Sequence, residues 1–165
     1  MADYIGDLSI GDQETSITVA DLLGRTVQAG GKKYIYARAG AALTKNTPYG
    51  IQYEGGAGTT TATSDPVVKA LLSTAVKQLV VVPVFRTLAD NDTGWFQYQG
   101  NVDDLVVASA TYTATHGLKV DAGVVAGSGG APTNLDTEFA SVRVGGTTVT
   151  SIDVFLFGRE ALTET

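Results

Sequence analysis

The chain has 165 residues, a formal net charge of −6 and no cysteine. The lack of cysteine excludes disulfides, thiolate catalysis and Cys-ligated zinc, and it fits assembly in a reducing cytoplasm. The negative charge opposes binding to nucleic acid, because affinity for a phosphate backbone depends on Lys and Arg.

Composition also predicts the fold class. Only 17% of the residues are charged, against 20 glycines and many Thr, Val and Ala, and this mixture favours strands and turns over surface helices. The N-terminus has no basic region before a long apolar run, and no stretch approaches the roughly 20 apolar residues of a membrane span. We therefore expect a mainly β protein of one domain, with no signal peptide and no membrane contact.

Residues 1–28 are predicted to form an extended arm ahead of a β-rich domain at residues 29–165. Glycine and polar residues interrupt the apolar residues of this arm, which are Tyr4, Ile5, Leu8 and Ile10. Such an arm is typical of a segment that docks on another surface. Thr18–Gly24 is predicted to be a single helical turn, with Thr18 as the N-cap and Gly24 at a left-handed stop.

The first predicted strand of the domain is Lys33–Ala39. Its residues alternate between one face with Tyr34, Tyr36 and Arg38 and another with Ile35, Ala37 and Ala39. A turn at Asn46–Pro48 separates this strand from a second one at Tyr49–Tyr53.

One substantial helix is predicted to begin at Asp65–Pro66, because Asp suits an N-cap and Pro suits the first helical position. The apolar residues that follow recur at helical spacing and are Val68, Leu71, Leu72, Ala75 and Val76. Leu79–Phe85 is a continuous apolar run, typical of a strand that is covered on both faces, and Pro83 in it indicates an edge or a bulge.

An aromatic strand follows the polar turn Asp90–Asp92. Period-2 alternation places Trp95, Gln97 and Gln99 on one face and Phe96 and Tyr98 on the other, and Gly100 is expected to end the strand.

Four further strands are predicted at Val102–Ala108, Leu118–Val125, Ala140–Val144 and Ser151–Gly158. In the last of these, Phe155 and Phe157 lie opposite three apolar residues, so a second layer or a partner must cover them. Short strands separated by turns favour a small β-sandwich or barrel-like domain with one or two short helices.

The sequence gathers no catalytic constellation, and neither a cofactor nor a metal is expected. His116 is the only histidine, and an ordinary turn residue is its simpler interpretation. Asp90–Asp92 lacks the glycine and glutamate spacing of an EF-hand, which leaves a solvated turn or an irregular calcium site. Asp103 and Asp104 are predicted to lie on opposite strand faces, a poor geometry for a shared proton.

Two glycine-rich segments resemble nucleotide loops only superficially. Gly55–Gly58 and Gly127–Gly130 lack the spacing of a Walker or dinucleotide fingerprint, so we interpret them as flexible connectors.

Five aromatic residues are predicted to form a subunit interface, namely Tyr34, Tyr36, Trp95, Phe155 and Phe157. Tyr34, Tyr36 and Trp95 are interpreted as filling a core or a subunit interface. If these three rings are exposed, they could instead stack on sugars, which is the alternative.

Two segments carry a resemblance to a known family. Tyr34–Gly50 and Gly94–Gly100, with a Val-rich strand between them, resemble the capsid decoration or cement proteins of tailed bacteriophages over about residues 30–126. The resemblance implies a β-rich structural virion protein on the outer surface of the head. It also implies that the protein bridges neighbouring major capsid protein subunits, often as a homotrimer, so that the shell resists the pressure of the packaged genome.

If the resemblance holds, the apolar arm contacts the major capsid protein and the aromatic residues join copies of the chain. Two other classes stay open. A carbohydrate-binding or host-attachment module would present an exposed Trp95, and an enzyme would place His116 beside a carboxylate.

Overall fold

A computed structural model of the chain describes residues 4–5, 8–9, 22–52, 66–73, 77–133 and 136–162. These residues are mainly β, as the composition predicts. The strands are β1 (Tyr4–Ile5), β2 (Leu8–Ser9), β3 (Thr26–Ala29), β4 (Lys32–Ala39), β5 (Tyr49–Gln52), β6 (Val67–Lys69), β7 (Lys77–Val81), β8 (Thr93–Tyr112), β9 (Gly117–Asp121), β10 (Val124–Gly127), β11 (Glu138–Val144), β12 (Gly146–Phe157) and β13 (Glu160–Leu162).

Eleven of these strands form one sheet, in the order β10-β9-β11-β12-β8-β4-β6-β5-β7-β13, with β3 paired to β4. All the pairs are antiparallel except β4 with β6. The short strands β1 and β2 pair only with each other. Because β3 begins at Thr26, the sheet includes the last residues of the segment predicted to be an arm.

The 20-residue strand β8 runs through both halves of the sheet. Its first part pairs with β4, and from Gln99 onward it pairs with β12. Gly100 is expected to end the strand, but β8 continues through it. Its φ is +95°, and a Cβ at this position would lie 2.9 Å from the Gly31 carbonyl oxygen, so only glycine fits here without strain.

The sheet coils so that β7 comes back to β8. The amide of Val82 donates to the Gln97 carbonyl at 2.8 Å, and the amide of Gln97 donates to the Val82 carbonyl at 2.9 Å. The strands β4, β5, β6, β7 and β8 contribute to a buried cluster that we call the first core. It contains Ile35, Ala37, Ala39, Leu43, Ile51, Val68, Leu79, Val81, Leu88 and Phe96.

A second core lies between two groups of strands. One group is β7 with β13, and the other is the half of the sheet formed by β9, β10, β11, β12 and the later part of β8. The residues of the second core are Val80, Val82, Val102, Leu105, Val107, Tyr112, Leu118, Val120, Val125, Phe139, Ala140, Val142, Ile152, Val154, Leu156 and Ala161. Leu79–Phe85 is predicted to be a strand covered on both faces. Its first four residues are, because Leu79 and Val81 pack in the first core and Val80 and Val82 pack in the second. Pro83, which has no amide to donate, lies just beyond the ladder.

The helix predicted to begin at Asp65–Pro66 is wrong where the structure describes it. Val67–Lys69 is the strand β6, which pairs in parallel with Arg38–Ala39 of β4 and antiparallel with β5. Two adjacent β-branched valines fit a strand better than a helix. No α-helix is present among the described residues, and none of them therefore forms a helix able to cross a bilayer.

Part of the predicted N-terminal turn is described. The Arg25 amide donates to the Leu22 carbonyl at 2.9 Å, and Gly24 has the expected left-handed φ of +82°. Ile10 and the first half of the predicted turn, Thr18–Asp21, lie outside the described residues.

Candidate interface surface

The predicted aromatic face is buried inside the chain. Tyr34 is 7% exposed, and Tyr36 and Trp95 are fully buried. The rings of Tyr36 and Trp95 meet edge to face at 5.1 Å, and the Tyr36 hydroxyl lies 3.0 Å from Oγ1 of Thr93. Tyr34 stacks on Phe85 with the ring centroids 5.6 Å apart.

Of the interpretations drawn from the sequence, the structure therefore places these three rings in a core of the single chain, and the exposure that sugar stacking needs is absent. Side chains from the turn before β3, from β3 and from the segment after β7 cover this face of β4 and β8, namely Leu22, Leu23, Val27, Ala29, Val84 and Phe85. The rings form neither a platform for sugars nor a surface that a second subunit reaches.

Phe155 and Phe157 lie instead at the surface of the second half of the sheet. Phe155 is 38% exposed, Phe157 is half-buried, and their ring centroids are 6.4 Å apart. We call this pair the Phe patch. The strand alternates as predicted, because the intervening Leu156 belongs to the second core.

Arg159 holds one side of the Phe patch in place. Its Cζ lies 4.6 Å from the centroid of the Phe157 ring, and its Nε donates to the Glu138 carbonyl at 3.0 Å. This cation–π contact and hydrogen bond fix the orientation of Phe157. The patch is therefore a preformed surface.

Polar groups border the patch along β8. Phe155 is paired with Asn101 and Phe157 with Gln99. Beyond them, Arg143 and Asp103 form an ion pair at 3.6 Å, with side chains 43% and 71% exposed. A pair this exposed contributes little to stability. An apolar centre with a polar border is the usual composition of a protein interface.

A second apolar surface, which no described residue covers, lies where β8 approaches β10. It is an open groove of about 280 Å³, and none of its described lining residues is charged. We call it the valine groove. Its main apolar lining residues are Pro48, Leu71, Val106, Val107, Val124 and Val125.

The sequence contained a signal for this groove that was missed. Val106–Val107 and Val124–Val125 are adjacent valines in strands, and adjacent strand residues point to opposite faces. Val107 and Val125 are buried in the second core, whereas Val106 is 42% and Val124 54% exposed.

The predicted catalytic candidates are not brought together. His116 is a half-buried turn residue whose amide donates to the Thr113 carbonyl at 3.1 Å. Neither a hydrogen bond from its imidazole nor a group of three metal-ligating side chains occurs within the described part of the chain.

The acidic motifs have structural roles. In the Asp90–Asp92 turn, Oδ2 of Asp92 accepts a hydrogen bond from the Ala89 amide at 2.9 Å, and Asn91 has a φ of +68°. Asp103 and Asp104 are both exposed at a bulge, and the Asp104 amide donates to Oδ1 of Asp153 at 3.1 Å.

The second glycine-rich segment is more ordered than expected. The Ser128 amide donates to the Gly117 carbonyl, and the Gly117 amide donates to the Gly130 carbonyl, at 2.9 and 2.7 Å. These bonds extend the β9–β10 hairpin. Gly55–Gly58 lies outside the described residues.

Comparison with known proteins gives one structural likeness. No family model and no curated protein matches the chain. The fold is similar to the crystal structure of the N base of head fiber gp8.5 in bacteriophage phi29, with 11% sequence identity and a TM-score of 0.46. The likeness covers 77% of this chain and 95% of that chain.

Proposed function

We propose that this protein is a structural protein of a tailed-phage virion, which decorates the outer capsid surface and bridges major capsid protein subunits. The observation that carries the proposal is the Phe patch, a preformed apolar surface with a polar border. Nothing in the described part of the chain covers this patch, and a contact with other protein would remove it from water.

The resemblance to capsid decoration proteins supports the same function. The two segments that carry it are neighbours in the fold, since Tyr34–Ala37 of β4 pairs with Gly94–Gln97 of β8. The net charge of −6 suits a protein that contacts capsid protein and avoids packaged DNA.

The contacts divide between two parts of the chain. The apolar arm, with Tyr4, Ile5, Leu8 and Ile10, binds the major capsid protein. The Phe patch joins copies of this chain, in a homotrimer. Each arm contact is weak, but an oligomer engages several capsid subunits at once, so that later contacts form at a high effective concentration.

A sedimentation experiment tests the proposal. Purified protein is mixed with expanded, undecorated heads of its own phage, the shells are pelleted, and the bound protein is measured, with an unrelated acidic protein as the control. We expect saturable binding at a fixed ratio to capsid subunits. The proposal fails if binding does not exceed that of the control.

Deletion of residues 1–15 tests the role of the arm. We expect the shortened chain to keep its folded signature by circular dichroism and to lose most of its head binding. Undiminished binding would show that the arm is not the anchor.

A further inference from the structure

We draw no further inference here: the strongest candidate, the valine groove between β8 and β10, carries nothing because nothing in the structure shows what covers it.

Discussion

At the scale of single residues, Tyr112 connects two strands of the second core. Its side chain is 4% exposed, and its single hydroxyl hydrogen is shared between the carbonyl oxygens of Ala108 at 3.1 Å and Val125 at 3.4 Å. Burial raises the pKa of the Tyr112 phenol, because the phenolate is poorly solvated there. The folded protein therefore favours the neutral form.

This raised pKa predicts a loss of stability in alkali. The unfolded phenol has a pKa of about 10, so above that pH the unfolded chain loses its proton before the folded one does. The free energy of unfolding should fall as the pH rises from about 10 toward the higher folded pKa, and the stabilisation is complete below about 10.

Tyr112→Phe isolates this effect from the other groups that titrate in alkali. At neutral pH the free energy of unfolding of the variant should be about 1 kcal/mol lower than that of the wild type, because the hydrogen bonds of the hydroxyl are lost. This difference should shrink at alkaline pH, where the wild type is itself destabilised. Urea unfolding of both proteins across this range makes the comparison. A deficit that stays constant with pH would contradict the prediction.

Trp95 gives an independent check of the buried aromatic cluster, because it is the only tryptophan. Since it is fully buried, its fluorescence should be blue-shifted, inaccessible to acrylamide and unchanged by added glycans. Emission typical of an exposed indole, or a glycan-dependent shift, would instead support the sugar-binding alternative.

At the scale of elements, the passage of β8 through Gly100 depends on the glycine. Gly100→Ala should destabilise the protein by more than about 1 kcal/mol, because alanine is strained at a φ of +95° and its Cβ would crowd the Gly31 carbonyl.

Gly127→Ala is the matched control, since a Cβ there meets nothing within 4 Å. This substitution should change the free energy of unfolding by no more than about 0.5 kcal/mol. Chemical denaturation of the wild type and both variants measures both changes in the free energy of unfolding, and equal stability of the two variants would show that position 100 tolerates a side chain.

The spacing of apolar residues along the sequence predicts the faces of the strands correctly, but it predicts a helix after Asp65–Pro66 where the structure has the strand β6. The alternation of Lys33–Ala39 places Ile35 in the first core and Tyr36 in the aromatic cluster, as expected. In contrast, Val68 fits a helical stripe as well as it fits a strand. Its strand partners, Ala39 and Ile51, are remote in sequence, so spacing alone does not reveal them.

The surface was harder to predict than the strands, for the same reason. Both Trp95 and Phe155 lie on alternating aromatic strands, and nothing local separates them. Trp95 is covered by residues near positions 22–29 and 84–85, whereas Phe155 is left at the surface. Which aromatic face stays at the surface is decided by the tertiary fold.

At the scale of the whole molecule, the proposed contact between copies should respond to conditions as apolar burial does. Ammonium sulfate should strengthen self-association and cooling should weaken it. Sodium chloride should not dissociate the oligomer, because each copy carries a charge of −6 and salt screens the repulsion between copies.

Sedimentation across temperature and salt measures these responses. A contact made mainly by exposed ion pairs such as Arg143–Asp103 would respond in the opposite way to sodium chloride, and dissociation in high salt would favour that contact over the apolar one.

The strand β7 links the two halves of the molecule. Leu79 and Val81 pack in the first core, while Val80 and the adjoining Val82 pack in the second. Detachment of β7 from the sheet would therefore remove buried side chains from both cores. The two halves therefore cannot melt one after the other, and the chain should unfold in a single cooperative transition. A chain built in this way should have no half-open intermediate that exposes its apolar interior to a protease while the rest stays folded.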